Sequence, residues 1–483
     1  MRGWATPPPA AIMVPKPERS FPMRTITEAA RELPVLEYDV FVAGAGTAGC
    51  IAAIAATRAG ARVLLVEKLS VPGGTYTNGG IGTYSYFASC GPGETPRRIV
   101  GGLPFELAER LEAEGGATGF LPTPGDKHRI PSRFVADHEV YKGVISEMLL
   151  DSGVDVLLQT QLAGLICSDG RISCAVIENK DGRRAAAAKV FIDATGDGDA
   201  ARLAGCPQLE LWQEYTEVCG APTGLVFGMS GVDFDRLLEE NPGAAFLLSD
   251  DATDAGERVR RIAFTHMREP QKYAELSKLD INYFTTIQSI HEDEATYINN
   301  SKGVVTDGSS AENLSAAELT MRVRIMRMAQ ALRSCVPGFE RAHLSWASTQ
   351  LGVRASRITV CDKMLSQAEL SAASRFEDEI GLYGFHDLSP KRPECEIGAP
   401  GFYGLPYRML LPCGCANLLM AGRCVTADVE SHMSTRNTVC CMVMGQAAGV
   451  AAALCAEGGL EARQLPYGRL RAGLLSQGAI LEA

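Results

Sequence analysis

One stretch near the start of the 483-residue chain restricts the fold to a narrow class. The apolar run Val40-Phe41-Val42-Ala43 leads into Gly44-Ala45-Gly46-Thr47-Ala48-Gly49. A helix-compatible segment, Cys50 to Ala59, follows. Gly60 then precedes a second apolar run, Arg62-Val63-Leu64-Leu65-Val66, which ends on Glu67-Lys68. Strand, glycine turn, helix, strand, acid is the order needed to hold a dinucleotide. Gly44 permits the tight turn, Gly46 lets backbone approach a pyrophosphate, and Gly49 lets helix and strand pack closely. Ala45, Thr47 and Ala48 complete the loop. The helix behind it presents free N–H groups and a partial positive charge to the phosphates. Glu67 stands 18 residues beyond Gly49, at the end of the second strand, where a carboxylate accepts hydrogen bonds from ribose hydroxyls. It would repel a 2′-phosphate, which argues against a phosphorylated nicotinamide cofactor. A bare G-x-G-x-x-G also marks ordinary turns, but here strand, helix and acid stand in register.

This unit alone suits NAD or FAD. Its continuation, Glu67-Lys68-Leu69-Ser70-Val71-Pro72-Gly73-Gly74-Thr75, resembles the acid-then-Gly-Gly segment of the flavoprotein branch that includes glutathione reductase and succinate dehydrogenase. A glycine pair is what a chain needs where backbone meets ligand; taken by itself the segment is also a plain Pro-Gly turn. Two later stretches repeat the strand-into-glycine pattern: Lys189 to Asp199, with Ala194-Thr195-Gly196-Asp197 at its turn, and Asn417 to Arg423, ending on Gly422-Arg423. Arg436 to Ala453 then has helical character, with Gly445, Ala447, Ala448, Gly449, Ala451 and Ala452 among its small residues. Such a face packs tightly and aims a helix N-terminus at a bound group.

The resemblance extends further. The chain is similar to the FAD-dependent oxidoreductase family whose C-terminal signature runs A-G-R-C-x-S-x-x-H-E-A-H-x-S-x-R, then P-x-C-M and G-Q-A-A-G. Here it stands as Ala421-Gly422-Arg423-Cys424-Val425-Thr426, Glu430-Ser431-His432-Met433-Ser434-Thr435-Arg436, Cys441-Met442 and Gly445-Gln446-Ala447-Ala448-Gly449. Pro131 to Ala136, Leu314 to Glu318, Val336 to Phe339, Gln350 to Arg357 and Leu405 to Arg408 are also family-like, so the likeness spans roughly residues 37 to 458. The signature's first histidine is Val429 and its proline Val439, so no role transfers from that histidine. The resemblance implies FAD as cofactor.

The fold expected is α/β. A discontinuous Rossmann-like FAD-binding domain takes about 37–100, 140–205 and 405–460. A β insertion lies within Gln159 to Ile192, with Asp169-Gly170 and Asp181-Gly182 as turns. A mostly helical cap takes 206–400, in which Ser315 to Ser334 places Met321, Ile325, Met328 and Leu332 at helical spacing. Residues 1–36 form an extension expected to be disordered, with Met23 as an alternative start, and 461–483 form a C-terminal tail. No second strand-linked G-x-G-x-x-G appears, so no separate nicotinamide domain is expected.

Net charge of −11 disfavours nucleic acid and anionic membranes. No apolar stretch long enough to span a bilayer stands out, and Ala10-Ala11-Ile12-Met13-Val14 is too short for a secretory signal. A cytoplasmic setting is expected, with a small-molecule substrate and with homo-oligomerisation left open. The 15 cysteines include Cys413, Cys415, Cys424, Cys440 and Cys441, whose spacing matches no common metal site. A cluster and a redox disulfide are the alternatives to packing thiols; packing is preferred and no metal is expected.

In this reading the chemistry is the flavin's. Gly44 to Gly49, Glu67, Lys68, Gly73, Gly74, Thr75, Ala194 to Asp197, Gly422, Arg423, Asn437 and Thr438 would hold the cofactor. Arg436 would stabilise negative charge at the pyrimidine edge. His432 would carry a proton near neutral pH, and Arg354 with Arg357 would clamp a carboxylate, against the alternative of structural ion pairs. His343 and Tyr403 are weaker candidates, and His266, His291 and His386 carry no signal. The function expected is a soluble FAD-dependent oxidoreductase moving hydride to or from flavin N5 on a small polar metabolite. The alternatives are a flavin-dependent RNA-modifying or thiazole-synthase-like enzyme, and a non-enzymatic electron-relay subunit.

Overall fold

A computed structural model describes residues 25–28, 30–81, 86–89, 97–122, 132–252, 256, 258–279, 281, 285–299, 303–387, 392 and 394–483. Most of the expected N-terminal extension, and Pro131, lie outside the described residues.

Strand β1 (Val35–Ala43) is half-exposed where it begins and buried over Val40 to Ala43. The chain turns at Gly44 into helix α1 (Thr47–Arg58), where an alanine-rich sequence combines high helix propensity with burial of every residue from Thr47 to Ala56. It returns as β2 (Val63–Val66), buried throughout and parallel to β1. Helix α2 (His138–Ser152) opens under the Asp137 side chain, which accepts from the N–H groups of Glu139 and Val140, and closes at Gly153 with φ +73°. Then come β3 (Asp155–Leu157), β4 (Gln161–Ser168), β5 (Arg171–Asn179) and β6 (Gly182–Asp193). The expected turn between β4 and β5 places both Asp169 and Gly170 at positive φ, 51° and 70°, the backbone twist that a tight hairpin requires.

These strands form one sheet in the order β3-β2-β1-β6-β5-β4. On the side away from β1, β6 serves two neighbours along its length. Its first half pairs antiparallel with β5, while Phe191 to Asp193 pair in parallel with a late strand, Leu418–Met420. Residues more than two hundred positions apart are thereby brought to one sheet edge, directly below the loops that follow β1 and β6.

The region between differs from the mostly helical expectation. It carries a six-stranded antiparallel sheet of β7 (Phe227–Ser230), β8 (Ala245–Ala252), β9 (Arg258–Phe264), β10 (Thr285–Gln288), β11 (Glu294–Asn299) and β12 (His343–Ala347), in the order β8-β9-β10-β11-β7-β12. Helix α3 (Ala311–Cys335) backs it, capped by the Ser310 hydroxyl, and longer at its N-terminal end than its periodicity indicates. Met321, Ile325, Met328 and Leu332 are buried in one cluster with Phe227, Ile262, Ile287 and Ile298. The strands escape sequence inspection because they are short and partly polar. Arg258-Val259-Arg260-Arg261-Ile262 shows no clean alternation, and pairing across the sheet, not local pattern, makes it a strand.

After β13, the strand Leu418–Met420, the chain forms α4 (Val429–Thr435) and α5 (Thr438–Gly458). The helix expected over Arg436 to Ala453 opens two residues later, at Thr438: Arg436 closes α4 as its C-cap, and Asn437, at φ −65° and ψ 148°, is extended. α5 packs its small residues on α1. A Cβ on Gly445 would lie 2.2 Å from the Ala48 carbonyl oxygen, and one on Gly449 would lie 2.2 Å from that of Ala52. Only glycine permits this approach. α5 also corrects the expectation that no apolar stretch reaches membrane-spanning length: the most apolar 18-residue window of this 21-residue helix has a mean hydropathy of 1.9, but 94% of that window is buried inside the fold. A closing helix, Tyr467–Ser476, buries Leu470 and Leu474.

Candidate functional site

A cleft of about 790 Å³ lies where the loops after β1, β2 and β6 meet the start of α5, and the cap covers it. Its sheet side presents Gly44, Gly46, Thr47, Ala48, Glu67, Lys68, Gly74, Thr75, Ala194, Thr195, Gly196, Asp197, Gly422, Arg423, Asn437 and Thr438. Of the sequence-derived cofactor residues, Ala45, Gly49 and Gly73 lie behind this wall and shape it. The Ala45 carbonyl accepts from the Gly73 N–H at 2.7 Å.

The glycines divide by what each would strike. A Cβ on Gly49 would sit 1.8 Å from the Gly44 carbonyl oxygen, so Gly49 is fixed by the protein itself. A Cβ on Gly44, at φ +93°, would lie 2.7 Å from the Ala194 carbonyl oxygen. Gly46 is different. Its backbone is ordinary, φ −71° and ψ −175°, and no protein atom comes closer than 3.9 Å to where a Cβ would be. Neither backbone strain nor packing calls for glycine there, and the open side faces the cleft. This is the signature of backbone kept bare for a ligand, and the pyrophosphate of a dinucleotide fits it.

Helix ends agree. α2, α3 and α4 are capped by Asp137, Ser310 and Asp428 side chains. α1 and α5, whose first residues line the cleft, have no side-chain cap. The Asn437 side chain turns away and donates to the carbonyls of Met433 and Ser434, both at 2.9 Å. First-turn N–H groups of two helices therefore face the cleft, as anionic or electron-rich ligand groups require.

Glu67 is buried, and each of its oxygens accepts one backbone N–H: Ala45 at 2.7 Å and Leu69 at 3.0 Å. It ties the glycine loop to β2 and retains lone pairs for ribose hydroxyls. Lys68 is exposed at the rim. Asp193, which the sequence reading did not single out, does the same for the second loop. Its carboxylate accepts from the Thr195 N–H and hydroxyl and from the Ala201 N–H, and burial pushes its pKa up to about 6.

The arginines of the cleft are mostly paired. Arg423 donates to Asp197 at 2.6 Å, and Asp197 also accepts from Ser356. Arg357 donates to Asp199 at 2.7 Å, which favours the ion-pair reading of this residue over the clamp. Arg436 pairs with Asp387 and lies over the Tyr215 ring. Arg354, half-buried on the cap side, has no anionic partner among the described residues.

His432 does not stand where a proton carrier would. It is 1% exposed, is absent from the cleft wall, and its Nε2 lies 2.9 Å from the Arg423 carbonyl. Burial lowers its pKa to about 3, with the nearby Arg423 and Arg436 charges acting in the same direction, so the ring is neutral at physiological pH. Its role is to hold the Arg423 backbone. Tyr403 is buried on Ser434 at 2.7 Å, and His343 is exposed on β12; neither lines the cleft. Cys413, Cys415, Cys424, Cys440 and Cys441 are free thiols, and burial pushes Cys441, at the cleft wall, up to about 12. Among the described residues no group of three or more His, Cys, Asp or Glu has metal-holding geometry.

Sequence reasoning missed the cap's share of the wall: Ser309, Glu318, Thr349 and Leu351. The family-like stretches Leu314 to Glu318 and Gln350 to Arg357 were the available signal.

A digeranylgeranylglycerophospholipid reductase of Methanopyrus kandleri is 30% identical over 183 residues, which cover 36% of this chain and 44% of that protein. A tRNA uridine 5-carboxymethylaminomethyl modification enzyme of Geobacter sulfurreducens is 32% identical over 148 residues, covering 28% and 21%. The chain thus spans less than half the length of these curated relatives. A geranylgeranyl bacteriochlorophyll reductase-like structure from Thermoplasma acidophilum aligns over 91% of this chain and 82% of its own, at 13% identity and a TM-score of 0.43. The family described as FAD dependent oxidoreductase matches residues 39–474. With nine-tenths of its length inside that match, the chain belongs to the FAD dependent oxidoreductase family.

Proposed function

We propose that this enzyme oxidises or reduces a small polar metabolite that binds between the cofactor cleft and the cap. FAD, when bound, supplies a two-electron acceptor or donor that takes or gives hydride at N5. The rest is the protein's. The Gly44 to Gly49 loop and the N-terminus of α1 bind the pyrophosphate, and Glu67 orients the ribose. The N-terminus of α5 places positive potential at the far end of the cleft, where it favours negative charge. Ser309, Thr349 and Gln350 offer polar groups from the cap, and the cap itself excludes water.

The observation that carries this reading is the continuity of one cleft, about 790 Å³, from the glycine loop to polar cap residues. A cofactor-only groove would not need that second wall. Among the described residues the cleft wall holds no histidine. The test is anaerobic bleaching of the yellow protein with hydroxy acids, polyols and amines. Reduction by one class and not the others supports the reading. A protein that contains FAD but is reduced by none of the three, and whose reduced form passes no electrons to any small oxidised metabolite, overturns it.

A further inference from the structure

Among the charged groups that line the cleft, charge is balanced within the protein with few exceptions. Asp197, Asp199 and Asp387 answer Arg423, Arg357 and Arg436. Glu318 is likewise spent: one oxygen accepts from Arg322 and the other from the Leu351 N–H at 2.6 Å. The cations without an anionic partner among the described residues are Lys68, Arg202 and Arg354. Lys68 and Arg202 are exposed and lie on the sheet side, next in sequence to Glu67 and beyond Asp199. Arg354 differs in both respects: it is half-buried and belongs to the cap.

Its setting is built. The Arg354 N–H donates to the Pro222 carbonyl at 2.6 Å, which anchors the backbone. The guanidinium lies against Gly224, where a Cβ would come 3.1 Å from Nη1. Glycine at 224 thus leaves room for the guanidinium to lie close to the backbone. A half-buried guanidinium with no counter-charge is costly unless an anion completes it, and its planar fork matches a carboxylate by two parallel hydrogen bonds. We propose that the substrate carries a carboxylate and that Arg354, seated against Gly224, binds it. This rests on the reading of the cleft as a substrate-binding flavoenzyme site and narrows that reading to carboxylic acids.

The experiment uses the FAD-loaded protein and reads binding, not turnover. Glycolate, lactate, succinate and benzoate are titrated against the visible spectrum of the oxidised flavin, beside the matching amides and inorganic phosphate. The expected result is a saturable spectral shift with at least one acid and none with its amide or with phosphate. Arg354→Met should weaken that binding about 10- to 100-fold with FAD content unchanged, as loss of a charge-assisted pair predicts. Arg354→Lys should restore part of it. Gly224→Ala keeps the charge and displaces the fork, and should weaken binding several-fold. An acid and its amide binding equally, phosphate binding in preference to acids, no acid binding at all, or Arg354→Met and Gly224→Ala both binding as the parent does would overturn the proposal. A protein that takes up no FAD would instead remove the reading of the cleft on which it rests.

Discussion

The two walls of the cleft are made of different materials. The sheet wall is largely backbone: Gly44, Gly46 and Gly74, shaped from behind by Gly49 and Gly73, with the uncapped ends of α1 and α5. The cap wall and the lip of α5 are side chains, held by ion pairs such as Arg357–Asp199 and Arg436–Asp387. Backbone cradles bind what all members of a class share, because main-chain N–H groups are the same whatever the residue. Side-chain walls can be re-cut one substitution at a time. The proposed function assigns the cofactor to the first wall and substrate choice to the second, and that division can be broken by mutating either wall.

The largest effect is expected at Gly49. Gly49→Ala would set a Cβ 1.8 Å from the Gly44 carbonyl oxygen, backbone against backbone. The fold should lose about 3 kcal/mol, the upper range for overpacking, measured by denaturant unfolding of the apoprotein. Gly46→Val should do the opposite: its Cβ meets no protein atom closer than 3.9 Å, so the apoprotein loses only about 1 kcal/mol, the usual cost of a poor helix cap, but FAD is lost and the protein is colourless. If Gly46→Val retains full FAD, or Gly49→Ala retains full stability, the two glycines do not divide the labour between ligand and fold.

Glu67→Ala comes next. It removes a ribose partner and the two backbone bonds to Ala45 and Leu69. FAD affinity should fall by about 1–3 kcal/mol, read by fluorescence titration of the apoprotein. Unchanged affinity would mean that the carboxylate serves the loop alone.

Arg436 tests the other wall. Arg436→Met leaves Asp387 uncompensated beside the start of α5 and should lower the flavin potential by about 30 mV, a tenfold change for a two-electron couple. Adding Asp387→Asn should return most of the shift, since the pair is nearly neutral as a unit. A potential unmoved in the single variant would make the pair purely structural.

The smallest effect should come from His432. Its folded pKa, about 3, lies below the usual histidine value of 6.5. The unfolded chain therefore binds more protons between those values, and stability should fall as pH drops through that window. His432→Gln should flatten this acid limb and leave the pH dependence of flavin reduction from pH 7 to 9 unchanged. A change in that rate profile would return His432 to the chemistry.

This division also explains what could be read in advance. The sheet wall was legible because each requirement is local: Gly44 to Gly49 and Glu67 lie within one strand-helix-strand unit. The side-chain wall was not, because its partners are distant. Arg436 finds Asp387 49 residues away, and Arg357 finds Asp199 158 residues away. His432 looked reactive by residue type, and only burial shows that it is not. The cap sheet escaped because strands such as Thr285-Thr286-Ile287-Gln288 are specified by their neighbours, not by their own alternation.

The seating of α5 on α1 has a metric consequence. Gly445 meets Ala48 and Gly449 meets Ala52, so the helices run parallel and in fixed register. From these contacts, α5 begins six residues further out than α1, about 9 Å at 1.5 Å per residue. Their open ends form the jaws of a caliper whose setting is locked by two glycines. A flavin would be gauged by the distance from its phosphate to its pyrimidine edge, and the adenylate of FAD would add the ribose that Glu67 is placed to hold.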